Sequence, residues 1–341
     1  MADLPGDETA DAAVRALRWV AGAAVPADGG LTWPAIRELG LAQCDDLYYG
    51  TAGVLAAFAE ARLSGVTEFD ATARAAAGRL RHVAAMTAAA LRSGDAGAPA
   101  GTELGLYSGL AGQAVALRLW ADVTGDPRAA DTAGNVAAAI AAAAAGGGHL
   151  SDFNDLLLGE AGILLAALRL CGPADRSAAA VIADRLVAGA DWTDGGPAWL
   201  ARADLTVEMP NFSHGAAGVG FALGTAGIVL ERPDLLAVAQ AAGERLVRLG
   251  ARPGGAIAVP HSVPLRDPDA PGQLRLVSRA DRHAALVPAA GVGRPGPGLG
   301  GTRGRGPAGR PEQRAARPAV PGFLGQPRPV LRDGWGRRDG A

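Results

Sequence analysis

Apolar residues along this chain do not alternate with polar ones; they gather in runs that stay apolar on almost every helical face. Four such runs share a lead-in: a glycine, two variable residues and a second glycine. They are DLYYGTAGVLAAFAEARL from Asp46, LGLYSGLAGQAVALRLW from Leu104, NDLLLGEAGILLAALRL from Asn154 and PNFSHGAAGVGFALGTAG from Pro210. Their first glycines, Gly50, Gly109, Gly159 and Gly215, are spaced 59, 50 and 56 residues apart. At a rise of ~1.5 Å per residue, such a spacing holds two helices and their connections. The intervening stretches supply the second helix: ATARAAAGRLRHVAAMTAAAL, DTAGNVAAAIAAAAA and AAAVIADRLVAGA combine helix-forming composition with apolar residues on recurring faces. Strand signals are nearly absent, so the expected class is all-α, a helical hairpin repeated four times. Glycines at the helix starts permit tight turns and close backbone approach. The helix after each is apolar nearly all round, as expected of a helix surrounded by others. Repetition by itself leaves an open solenoid and a closed ring both possible.

Composition changes this picture at the C-terminal end. The chain has 341 residues and is 49% apolar, ample for a sizeable core. Its net charge of −2 hides an asymmetry. Residues 291–341 hold 14 Gly, 10 Arg and 8 Pro against three acidic residues, a net of +7, which leaves −9 on the remainder. An acidic body argues against nucleic-acid binding. Every basic side chain is Arg and none is Lys, a bias that fits GC-rich coding DNA. Cys44 and Cys171 do not form a disulfide framework and fit a reducing cytosol. The opening MADLPGDETADAAVRAL is acidic and has no signal-peptide core, and runs such as NVAAAIAAAAAGGG are too short to span a bilayer. The expectation is a soluble cytoplasmic protein.

The turn NFSHGAAGVGFAL, with its Ser-His-Gly-x-x-Gly, resembles that of the lanthionine synthetase C-like family, the cyclases of lanthipeptide biosynthesis and their relatives. Asp155, four residues before the repeat glycine in DLLLGEAGI, is a second match, and the resemblance covers roughly residues 40–255. It implies an α/α toroid, an inner barrel of helices led by Gly-rich turns inside an outer barrel, spanning residues 1–255. It also implies a reaction in which zinc turns a peptide cysteine into a thiolate that adds to dehydroalanine or dehydrobutyrine, forming a thioether. The enolate so formed needs a proton, a task suited to histidine. Carried over by position, His214 is the acid/base and Asp155 its partner. The implied partners are a precursor peptide and the dehydratase that prepares it. Taken as residues alone, His214 can be a cap or a surface residue, and Asp155 a carboxylate favoured by a helix N-terminus. Asp46 has the same offset in the first repeat, so an aspartate here can be structural. Cys44 matches no ligand position, and His82, His149 and His261 have no partners at metal spacing.

The family's zinc ligands lie in a fifth and a sixth turn, Trp-Cys-His-Gly and Cys-Cys/His-Gly, due near residues 270 and 325. No cysteine follows Cys171, and a catalytic zinc needs three protein ligands plus an open position. Zinc is therefore expected of the family while its ligands are absent from this chain, and no metal ligand is assigned. Residues 256–341 explain the loss as an out-of-frame segment. Read one nucleotide later with permitted codons, the stretch around PVLRDGWG yields Cys-Cys-Gly-Thr-Ala-Gly, and RLVSRADRHAAL yields Trp-Cys-His-Gly. These overlay residues near 332 and 280, in step with the repeats. The expected toroid is then incomplete, with a largely irregular C-terminal part, absent cyclase activity and poor solubility or partial folding, since each repeat buries its face on its neighbours. Other classes stay open: an Arg/Gly-rich arm for nucleic acid, with only Phe323 and Trp335 as aromatics; a metal-free peptide-binding pseudoenzyme; or another α/α-toroid enzyme such as a glycoside hydrolase, with Asp46 and Asp155 as its two carboxylates.

Overall fold

The computed structural model describes residues 6–35, 44–93, 104–172, 176–193, 195–250 and 257–264, all within one unit, residues 1–290. Of the segment expected to be irregular, 256–341, residues 257–264 are described and Val263 bridges to Glu208; the rest, including the positions near 280 and 332, lies outside the described residues. Nine helices occur among the described residues: α1 (Gly6–Gly22), α2 (Thr51–Leu63), α3 (Asp70–Ser93), α4 (Leu110–Thr124), α5 (Pro127–Ala145), α6 (Glu160–Leu170), α7 (Ser177–Ala188), α8 (Ala216–Val229) and α9 (Pro233–Leu249). None is long and apolar enough to cross a membrane.

The four repeat glycines each sit immediately before an even-numbered helix, as its N-cap. No side chain caps these helices; the chain leading into them does so with its own carbonyls. The amides of Glu160, Ala161 and Gly162 donate to the carbonyls of Phe153, Asn154 and Asp155, each seven residues back, at 3.0, 3.3 and 3.3 Å. Thr51 to Cys44, Gly53 to Asp46 and Ala217 to Pro210 repeat the pattern. Otherwise unpaired helix N–H groups are thereby satisfied by a turn folded over the helix end. That fold explains the second glycine. A Cβ at Gly53, Gly112, Gly162 or Gly218 would lie 2.5, 1.9, 2.3 or 2.1 Å from the carbonyl oxygen six residues back. Only hydrogen leaves room for the turn.

Packing follows the repeat. Helices α2, α4, α6 and α8 pack in sequence as one layer, α3, α5, α7 and α9 as a second, and each even helix packs on the odd helix that follows it. Residues facing across these contacts form the core: Leu55 and Phe58 of α2, Leu117 and Trp120 of α4, Ile163 to Leu165 of α6, and Val219 and Leu223 of α8 are 0–1% exposed. Among the described residues, α2 and α8 are not one of the helix pairs in substantial contact, so these residues do not close the array.

Two short hairpins depart from the expectation of no strands. β1 (Val25–Ala27) pairs antiparallel with β2 (Gly30–Thr32), and β3 (Asp191–Thr193) with β4 (Gly196–Ala198). The sequence reads Asp-Gly-Gly at 28–30 and at 194–196, a hairpin signal that helical periodicity overshadows. Gly29 and Gly196 take φ of 84° and 107°, where a side chain is strained. Each hairpin leads to a buried tryptophan whose indole nitrogen donates to the end of the preceding helix, Trp33 to Val20 O at 2.6 Å and Trp199 to Leu186 O at 2.8 Å. The pattern Asp-Gly-Gly-x-x-Trp is thus a second repeated device, placed before the first and fourth Gly-rich turns.

Candidate functional site

The Gly-rich turns line up because they hydrogen-bond to one another. Tyr48 N donates to Tyr107 O at 3.1 Å, Tyr107 N to Leu157 O at 3.0 Å, and Leu156 N to Ser213 O at 3.2 Å. These residues stand two or three places before their repeat glycines, so equivalent positions of successive turns become neighbours along one rim of the helix layer. Four places before the glycines stand Asp46, Gly105, Asp155 and Asn211; one place before stand Tyr49, Ser108, Leu158 and His214. Neighbouring turns can therefore bring the first of these positions in one repeat to the second in the next.

They do so between the third and fourth turns. His214 Nδ1 lies 2.8 Å from Asp155 Oδ2, although the two are 59 residues apart in sequence. Asp155 is fully buried, while the His214 side chain is 32% exposed. The other oxygen, Asp155 Oδ1, accepts from the amides of Leu158 and Gly159 at 2.8 and 3.1 Å. The carboxylate is thus held by its own turn and presents one oxygen to the imidazole. As an acceptor it favours the Nδ1–H tautomer and leaves Nε2 for chemistry. Asn211 completes the turn, its Oδ1 accepting from the His214 amide at 2.8 Å. This is the arrangement of an oriented general acid or base.

Asp46 shows what the same offset does without a histidine. Its Oδ1 accepts from the amides of Tyr48 and Tyr49 at 2.9 and 2.7 Å. It is a turn-forming carboxylate, as the sequence allowed. Asp46 and Asp155 each hold their own turn and stand on turns separated by a third, an arrangement that does not favour a glycosidic carboxylate pair.

No family model matches the chain, and no curated protein matches it at a significant level.

Burial, with a further contribution from the nearby Asp46 carboxylate, pushes the Cys44 thiol up to about 11, away from the thiolate a metal ligand requires. Among the described residues no three His, Cys, Asp or Glu side chains gather at metal-binding distance. The positions near 280 and 332, where the resemblance puts the zinc-binding turns, lie outside the described residues. His149 lies 3.4 Å from buried Glu160, whose carboxylate also accepts from the Leu150 amide at 3.0 Å.

Two features escaped sequence reasoning. Glu208, two residues before Pro210, forms a buried two-pronged ion pair with Arg245 of α9, both contacts at 2.6 Å. Its backbone also bridges to Val263, fixing the approach to the His214 turn from two sides. The rim further carries aromatics: Tyr48 and Tyr49 are 53% and 37% exposed and meet edge to face at 4.4 Å, with Tyr107 next to Tyr48. Burial raises the Tyr107 phenol. The adjacency of the turns, invisible in a linear reading, was the missing signal.

Proposed function

We propose that this chain is a lanthionine synthetase C-like protein, built as an incomplete α/α toroid, that keeps the proton-transfer half of the cyclase site and lacks the thiol-activating half. The observation that carries the reading is the Asp155–His214 contact, made between two signature turns by the residues the resemblance singles out. In the ancestral reaction the cysteine sulfur bonds to the β-carbon of a dehydroalanine or dehydrobutyrine. The double-bond pair moves toward the α-carbon and its carbonyl. His214 Nε2, as imidazolium, delivers a proton to that carbon, and the thiol proton leaves to solvent. Asp155 orients the ring and stabilises its charged form. Zinc, where the family binds it, supplies the thiolate. The substrate is a precursor peptide prepared by a dehydratase in the cytoplasm, and the exposed Tyr48 and Tyr49 offer it a rim to lie along.

A small thiol that is already ionised at assay pH replaces the missing half. The full chain is incubated with this thiol and a dehydroalanine-containing peptide, and the α-carbon configuration of the product is read by chiral analysis. The expected result is an excess of one configuration, lost in His214→Asn. Equal configurations with and without the protein would refute proton delivery. Saturable peptide binding without stereochemical bias would favour a peptide-binding pseudoenzyme, the reading that the aromatic rim also supports.

A further inference from the structure

Among the described side chains, every arginine but four hydrogen-bonds or pairs with a carboxylate or a main-chain carbonyl. The four are Arg15, Arg74, Arg81 and Arg128, and the last three line one surface recess of about 380 Å³. This is unexpected in a body with nine more acidic than basic residues, where a carboxylate is within easy reach of most surface cations.

The recess forms where α3 passes the junction of α4 and α5. Arg74 and Arg81 stand seven residues apart on α3 and so share a face. Arg128 stands at the start of α5, and Trp120, Thr124 and Pro127 complete the walls. The recess lies at the C-terminal end of α4, opposite the Gly109 turn; at ~1.5 Å per residue, the length of α4 separates it from the rim of turns. Two buried donors of its lining residues, Arg81 Nε and Trp120 Nε1, have no acceptor. The one acid in the lining, Asp126, is engaged: its Oδ1 accepts from the amides of Arg128 and Ala129 at 3.0 and 3.3 Å. Three unpaired guanidiniums therefore face one engaged carboxylate.

We infer that this recess binds a small molecule through a phosphate group. Guanidinium forks match phosphate oxygens in shape and charge, and Trp120 and Pro127 provide an apolar wall for the carbon part of such a ligand. Its volume lies in the range of small-molecule sites. The inference is independent of the reading of His214.

Calorimetric titration of the full chain with inorganic pyrophosphate at low ionic strength tests it. Saturable binding is expected, weakened at least tenfold in Arg74→Ala and in Arg128→Ala, with Arg15→Ala unchanged. Arg74 and Arg128 are exposed, so both variants keep the fold, which circular dichroism verifies. Absence of saturation, an equal loss in Arg15→Ala, or equal affinity for citrate would each overturn the assignment.

Discussion

Asp155 does two jobs with its two oxygens, and substitution separates them. Asp155→Ala leaves the amides of Leu158 and Gly159 without acceptors in a buried turn, with an expected loss of about 1–3 kcal/mol. Asp155→Asn can keep that acceptor while placing an amide against His214 Nδ1. Stability in urea is then expected to stay within about 1 kcal/mol of the parent, while any His214-dependent proton transfer falls roughly 10²- to 10⁴-fold. A parallel loss of both properties in the two variants would contradict this division. Cys44 gives a second residue-scale expectation. Burial raises its thiol from an ordinary value near 9.0 to about 11, so the folded state holds that proton more tightly than the unfolded chain. The resulting stabilisation is fully present below pH 9 and is lost as pH rises through about 11. Cys44→Ser is expected to remove this part of the alkaline loss, seen as a smaller drop in urea midpoint between pH 8 and pH 11.

At the scale of the helix and its turn, glycine is required by the neighbouring backbone more than by its own dihedrals. The N-cap glycines Gly50, Gly159 and Gly215, and the glycines three residues after each of the four N-caps, lie against carbonyls of the turn that folds over the helix. Replacing a helical glycine with alanine ordinarily stabilises by ~1 kcal/mol. At Gly134 in α5 an alanine Cβ would meet no atom within 4 Å, and Gly134→Ala is expected to follow that rule. Gly218→Ala is expected to reverse it, because its Cβ would sit 2.1 Å from Phe212 O and displace the very turn that carries His214. A destabilisation of about 1–3 kcal/mol corresponds to such overpacking. Urea titration of the two variants side by side measures the contrast, and stabilisation of both would disprove the account of the Gly-x-x-Gly pattern.

Across the whole molecule, the turn that bears His214 is tied down by contacts far from it in sequence. Glu208 and Arg245 are both nearly buried, and removing one partner strands a charge. Arg245→Met is expected to destabilise by about 3–5 kcal/mol, whereas the double change Glu208→Leu with Arg245→Met recovers most of that loss. A double-mutant cycle reports the coupling, and additive losses would show that the pair acts as two separate side chains. The proposed loss of the thiol-activating half carries its own expectation: the purified full chain holds zinc far below one equivalent by elemental analysis. Stoichiometric zinc would refute it.

Much of this arrangement was legible in the chain itself. Helical periodicity, four glycine pairs at near-constant spacing and alternation of apolar and amphipathic segments sufficed for the hairpin repeat, since these depend on local backbone preference and burial. The Asp-Gly-Gly hairpins were written plainly at 28–30 and 194–196 but are too short to show any periodicity. His214 and Asp155 were legible as types at matching offsets, one in each of two repeats. The contact between them was not legible, because 59 residues separate them and only hydrogen bonds between turns make them neighbours. The same holds for Glu208 with Arg245 and for the three arginines around one recess. Sequence by itself determined the repeated helical hairpins and the Gly-rich turns from which they start. Only tertiary structure decided which turns touch, and therefore that a buried carboxylate orients a histidine at the rim.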